Sequence, residues 1–300
     1  MKILLFGRRG QIGWELQRSL SSLGNLVALG ATSRDPCGDF TNLQGIAQTV
    51  RSIAPDIIVN AAAYTSVDAA ESEPELAHTI NAKAPSILAQ EAVRLGAWLI
   101  HYSTDYVFDG SGHLPWMETD WTGPLSVYGK SKLDGETAIL ASECHHLVFR
   151  TSWVYAARGN NFPNTILRLA KERDSLAIVD DQFGAPTGAD LVADITAHAI
   201  RMAMHNPEVG GLYHLVAAGE TSWHDYARFV IEYVHQSGAK LKTTPQTLLA
   251  VPSSDFPLPA ARPKNSRMNT AKLQQTFSLT LPHWQHGVAH VLTEMLERKP

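Results

Sequence analysis

Cysteine is scarce in this 300-residue chain, present only as Cys37 and Cys144. Two thiols cannot build a disulfide framework, and such scarcity fits a reducing compartment. Both read as packing residues rather than nucleophiles. Long hydrophobic runs are missing too: none approaches the ~20 residues of a membrane span. The opening Lys2-Ile3-Leu4-Leu5-Phe6 is too short for the apolar core of a secretion signal and has no small-residue cleavage site. The expectation is a soluble, cytoplasmic protein without a membrane partner. Charged residues make up 18% of the chain, with a formal net charge of -4, a balance that leaves no basic footprint for nucleic acid. Among 13 histidines there is no His-Glu-x-x-His and no accompanying cysteine, which argues against zinc. His283, His286 and His290 fall at helical spacing and read as packing and surface residues. Internal repeats and low-complexity segments are also missing.

What is present is a 44% hydrophobic chain in which short apolar runs alternate with helical patterns. Strands are expected at residues 3–6, 26–29, 57–60, 98–103 and 147–151. Helices are expected at residues 11–23, 43–53, 74–95 and 127–141. The runs at 3–6 and 57–60 are continuously apolar, as strands covered on both faces must be. This alternation argues for a parallel, doubly wound sheet. After about residue 151 aromatics, prolines and glycines become frequent, as in residues 181–188. A helix follows at 189–204, then a strand at 212–216, a proline-rich extended loop at 252–263, and a helix at 284–297. The fold class read from this is α/β, a doubly wound parallel sheet of Rossmann type with a second, smaller lobe. Residues 1–150 and 187–216 would form the dinucleotide-binding domain, and 151–186 with 217–300 the substrate-binding domain.

Glycines punctuate the first strand–helix turn as Gly7-x-x-Gly10-x-x-Gly13. Such a turn tolerates positive φ and close backbone approach, and the following helix offers amides and a positive dipole to a pyrophosphate. An ordinary strand–helix turn would use the same residues. Arg8, Arg9, Gln11 and Ile12 complete the expected phosphate contact. The second strand ends at Gly30, where an NAD-preferring site places Asp or Glu. Arg8, Arg9 and Arg34 are near it in sequence, and guanidinium suits a 2′-phosphate. NADPH is therefore expected over NADH, with solvated loop arginines as the equal alternative. Asp39 and Phe40, after a third short strand, are expected to meet the adenine. Asn60 ends a fourth strand and is followed by Ala61, Ala62, Ala63, Tyr64 and Thr65, small enough at their start for a dinucleotide to pass closely.

Tyr128 and Lys132 lie four apart, so on a helix they share a face. A nearby ammonium favours phenolate and is expected to lower the tyrosine pKa from ~10. Such a tyrosine can protonate a carbonyl oxygen while a cofactor delivers hydride to the carbon. Thr104, in Ser103-Thr104-Asp105 at a strand's carboxyl end, is placed to bond the substrate oxygen and the phenol. Asp180-Asp181 reads as a turn rather than a second acid–base device.

With these three elements the chain resembles an extended short-chain dehydrogenase/reductase. Longer strings strengthen the resemblance to members acting on nucleotide-linked keto sugars: residues 3–7, 60–65, 68–74, 103–108, 150–155, 181–187 and Arg262-Pro263-x-x-Ser266-Arg267. The resemblance implies NAD(P)H-dependent reduction of a dTDP-linked 4-keto-6-deoxy sugar, for cell-surface polysaccharide. It implies Tyr128 as proton donor, Lys132 on the nicotinamide ribose beside Tyr102, and Thr104 on the keto oxygen. It also implies Asp105 and Trp153 against the sugar, with the segment from Gln182 through Pro186, including Ala185, on the substrate nucleotide. It further implies a homodimer bridged by Mg2+ through carboxylates at positions matching Glu15, Asp190 and Glu294, although isolated helix-surface acids explain those residues equally well. The chain departs from the family at Gly30, where an acid is frequent. Three other readings stand beside this one. A 4,6-dehydratase would need a glutamate where Tyr106 stands, a 4-epimerase would retain its cofactor, and a non-catalytic regulator would not need Thr104, Tyr128 and Lys132 together.

Overall fold

A computed structural model describes residues 1–297. Six parallel strands form the central sheet: β1 Lys2–Phe6, β2 Asn25–Leu29, β3 Ile57–Asn60, β4 Trp98–Thr104, β5 His146–Thr151 and β6 Gly211–His214. Their spatial order is β6-β5-β4-β3-β1-β2. β1 lies between β2 and β3, so the winding reverses there, and a ligand crevice opens outside the carboxyl ends at such a reversal. Alternation along β1 sends Ile3 and Leu5 to one face and Leu4 and Phe6 to the other, and each face has its own core.

Helix α1 (Gln11–Leu20) and α6 (Ala189–His205) pack together on the Ile3/Leu5 face, where Leu16, Leu20, Val192 and Ala199 are buried. Helices α2 (Leu43–Ile53), α3 (Ala84–Leu95) and α4 (Val127–Leu140) cover the other face through Ile46, Val50, Leu88 and Ile139. Burying each such side chain stabilises the fold by ~1.5–3 kcal/mol before chain entropy is counted. A second core joins α5 (Phe162–Glu172), α7 (Trp223–Gln236), α9 (Trp284–Glu297) and a parallel pair of short strands, Leu176–Val179 and Leu248–Val251. Between α7 and α9 lies the short helix α8 (Ala271–Phe277), whose Phe277 joins the sheet core.

The expected helix at 74–95 is three pieces: Pro74–His78, a π-turn at Thr79–Lys83, and α3. The wider turn frees the Asn81 side chain, which accepts from the Tyr64 amide at 2.8 Å and donates to the Tyr64 carbonyl at 3.0 Å and Ser131 Oγ at 2.9 Å. No third strand lies between β2 and Asp39; Arg34 and Cys37 meet in one isolated bridge. Asn60 therefore ends the third strand, not a fourth. Among the described residues, no helix is long and apolar enough to cross a membrane.

Candidate active site

The first strand–helix turn is shaped by two glycines that admit no side chain. Gly7 has φ +87°, and a Cβ there would fall 2.5 Å from the Ala61 carbonyl. A Cβ on Gly13 would fall 2.1 Å from the Gly7 oxygen. Gly10 differs, since its nearest neighbour to such a carbon is 3.4 Å away, and as the cap of α1 it lends no side-chain oxygen to the first amides. Those amides are the donors a pyrophosphate takes at a helix start. At the end of β2, a Cβ on Gly30 would have Arg8 Nε at 3.7 Å and Arg9 Cδ at 3.9 Å. Two guanidinium groups thus flank the position of the acid in an NAD site. Arg34 instead pairs with Asp39 at 3.2 Å.

Beyond the turn lies a cleft of about 500 Å3, lined by residues 9–12, 60–63, 65, 67, 102–106, 128, 132, 151–154, 159 and 160. It opens at the carboxyl ends of β3, β4 and β5. Sheet register sets Thr104 beside Thr151 there. The Thr104 hydroxyl donates to Asp105 Oδ1 at 3.0 Å and accepts from the Tyr106 amide at 3.2 Å. Asp105 is buried, its Oδ2 has no hydrogen-bond partner, and burial pushes its carboxyl up to about 6 against the opposing hydroxyls of Ser266 and Thr104.

Ser126 caps α4 by accepting from the Gly129 amide at 3.1 Å, and so fixes the turn that carries Tyr128. The Tyr128 ring keeps one edge on the cleft and meets Tyr106 edge-on at 5.4 Å. Its phenol is not acidified as the sequence suggests. Desolvation within the cleft walls pushes it up to about 12; the Thr104 hydroxyl opposes this and the Asp105 charge adds to it. Lys132 shares the face but turns its amine to the Tyr102 carbonyl at 2.5 Å, with His101 Nε2 at 3.4 Å. Burial brings that amine down to about 8, with Glu136 opposing. Held on that carbonyl, the amine is not among the influences that shift Tyr128.

The remaining expected residues are scattered. Gln11, Ile12, Ala61, Ala62, Ala63, Thr65 and Tyr102 line the cleft. Tyr64 sends its hydroxyl to Glu73 at 2.6 Å, holds Asn81 through its backbone and does not line the cleft. Asp39 accepts from the Thr41 hydroxyl at 2.7 Å, and Phe40 is buried edge-on to Phe6, so neither lines the cleft. Trp153 does line it, at φ +49° and stacked on Trp223 at 3.6 Å. Gln182 is buried, and Ala185 packs with Val107, Phe108, Val216 and Met268; neither lines the cleft. Thr151, Ser152 and Asn160 line it without having been anticipated. The rule that singled out Thr104 at a strand's carboxyl end applies equally to Thr151-Ser152.

Glu15, Asp190 and Glu294 meet in a separate groove of about 630 Å3 with Arg18, Asp194 and His290. Burial raises the Glu15 carboxyl; Arg18 opposes, and Asp190, Glu294 and Asp194 add to the rise. Among the described residues, no group of three His, Cys, Asp or Glu is placed to hold a metal ion.

A family model described as the RmlD substrate binding domain matches residues 1–297. The dTDP-4-dehydrorhamnose reductase of Escherichia coli (strain K12) is 60% identical over 295 residues, 98% of each chain. Two solved structures are similar throughout. A dTDP-4-dehydrorhamnose reductase from Clostridium acetobutylicum has TM-score 0.88 and 31% identity, covering 99% of this chain and 100% of that one. One from Bacillus anthracis, in complex with NADP, has TM-score 0.86 and 33% identity, covering 98% and 99%.

Proposed function

This chain belongs to the RmlD substrate binding domain family, and from that premise we propose that it is a dTDP-4-dehydrorhamnose reductase. It reduces the 4-keto group of a dTDP-linked 6-deoxy sugar with NAD(P)H, yielding dTDP-L-rhamnose for surface polysaccharide. The observation that carries the reading is the convergence of Thr104, Tyr128 and Lys132 on a cleft beside an uncapped helix start.

Bound NAD(P)H supplies the hydride. The glycine turn seats the pyrophosphate on the α1 amides, and Arg8 and Arg9 favour the 2′-phosphate of NADPH. Tyr128, kept protonated by its surroundings, gives its proton to the oxygen that gains charge as the carbon is reduced. Thr104 holds that oxygen in line with the phenol, and preorganised donors of this kind stabilise developing charge. Lys132 holds the nicotinamide ribose and offsets charge left on the phenol oxygen. Trp153 gives the sugar a flat wall, with Asp105 behind it. Tyr106 occupies the position of a dehydratase's glutamate base with a phenol that burial drives up, so abstraction of a sugar proton has no agent there.

Residues 1–150 and 187–216 act as the dinucleotide-binding unit, and 151–186 with 217–300 as the substrate unit; the sheet core and the α5–α7–α9 core support that division, except that Leu273, Phe277 and Leu281 pack in the sheet core. The enzyme works in the cytoplasm as a homodimer, without nucleic acid or membrane, on the grounds of family resemblance and low positive charge. The test is direct. The purified protein is mixed with NADPH, the dTDP-4-keto-6-deoxy sugar and its 3,5-epimerase. Loss of reduced-nicotinamide absorbance with formation of dTDP-L-rhamnose supports the reading; no oxidation refutes it.

A further inference from the structure

Thr104 closes β4 and Tyr128 sits in the first turn of α4, so two separate elements must be set against each other before a proton can pass to the substrate oxygen. Tyr106 touches both. It lies in the single helical turn Asp105–Val107 that follows Thr104. Its amide donates to the Thr104 hydroxyl oxygen at 3.2 Å. Its carbonyl faces Gly129, the residue after Tyr128, where any Cβ would collide with that oxygen. Its ring meets the Tyr128 ring at 5.4 Å between centroids and 78° between planes, an edge-to-face arrangement that aromatic pairs favour. We propose that Tyr106 is a positioning residue of the reductase, setting the Tyr128 phenol against Thr104 through these contacts. The proposal rests on the reading above for Tyr128 and Thr104.

A positioning residue must itself be fixed. Tyr106 is fixed from both sides along the chain. Before it, Thr104 is buried and accepts its amide. After it, Val107 and Phe108 are fully buried in a small core with Ala185, Val216 and Met268. The Val107 carbonyl also accepts from the Gly123 amide at 2.9 Å. This leaves the turn little freedom, and the close approach at Gly129 seats the start of α4 directly on its backbone. Ser126 then closes that helix start on the Gly129 amide.

The side chain adds the remaining constraint. Tyr106 and Tyr128 both line the cleft, so the Tyr106 ring limits where the Tyr128 ring stands within it. Burial drives the Tyr106 phenol up; Asp105 adds to the rise and Arg262 opposes it. Tyr106 therefore stays protonated at working pH and sets a neutral ring, not a charge, beside the proton donor. Its part is to place Tyr128, and a ring of the same shape without the hydroxyl can do the same.

A cycle of variants in the whole protein tests this, read as the single-turnover rate of NADPH oxidation together with the Kd for NADPH. Tyr106→Leu removes the ring contact and keeps the backbone ones. The rate is expected to fall ~10–100-fold, the cost of a misplaced reacting group, with cofactor affinity unchanged. Tyr106→Phe is expected to recover most of that loss. In a Tyr128→Phe background, Tyr106→Leu is expected to cost nothing further, because it acts through the proton donor. A merely structural role would cost the same in both backgrounds. A parental rate in Tyr106→Leu, no recovery in Tyr106→Phe, or equal losses in the two backgrounds overturns the proposal. If Tyr106→Leu does not fold, Gly129→Ala takes its place, since it pushes α4 off the Tyr106 carbonyl. The same loss, absent in the Tyr128→Phe background, is expected, and a parental rate overturns the proposal. Failure of the underlying reading shows separately, as a parent protein that oxidises no NADPH or a Tyr128→Phe variant that keeps the parental rate.

Discussion

Gly30 shows how little separates one nicotinamide cofactor from another. An Asp side chain there would start within 4 Å of Arg8 and Arg9 and pair with them. Gly30→Asp is expected to lower kcat/KM for NADPH by ~10–100-fold relative to NADH, the worth of a charge-assisted bond lost. Parallel kinetics with the two cofactors check it. Asp105 gives a second prediction at this scale. Its carboxyl is raised to about 6, against ~3.9 when unfolded. Between those values the folded state binds more protons, so this group's contribution is present below about 4 and is lost as pH rises through about 6. Asp105→Asn should therefore gain in Tm on the parent as pH rises across that window. Parallel thermal melts measure the difference, and a gap independent of pH counts against it. That Tyr128 and Lys132 share a face was readable from spacing, because a four-residue step on a helix sets one. Their acidity was not readable. It depends on burial and on the Tyr102 carbonyl, contributed by a strand about 30 residues away.

At the scale of elements, α4 is tied to β5 by the buried pair Arg150–Glu136, with Arg150 also over the Phe108 ring at 5.0 Å. Removing one partner strands the other's charge. Arg150→Met is expected to cost ~3–5 kcal/mol, and Arg150→Met with Glu136→Leu to recover much of it. Denaturant melts of the three proteins check this. The strands of the sheet were legible because a strand covered on both faces is apolar throughout. The π-turn at Thr79–Lys83 was not, since its cause is remote: Asn81 is committed to Tyr64 and Ser131. Gly135 completes the contact, for a Cβ there would fall 2.0 Å from the Asn81 oxygen. The surroundings of Phe40 are remote in the same way. It is expected at the adenine after a third short strand, and its ring packs edge-on to Phe6 at 5.2 Å.

For the whole molecule, the cleft exists only because distant segments meet. Gln11 reaches Asn161 at 2.8 Å, and Asp68 takes Arg262 in a two-bond clamp at 3.0 and 2.7 Å. The second lobe's own architecture, built on Leu176–Val179 paired with Leu248–Val251, had no periodic signal strong enough to announce it. What the assembled cleft must do is deliver one proton as hydride arrives. Tyr128→Phe removes that proton and leaves the ring, the glycine turn and Lys132 in place. The measurement is kcat together with the Kd for NADPH. A fall in kcat of ~10²–10⁴-fold with cofactor affinity unchanged is predicted. Retention of parental kcat by the phenylalanine variant would contradict the assignment of the proton to Tyr128.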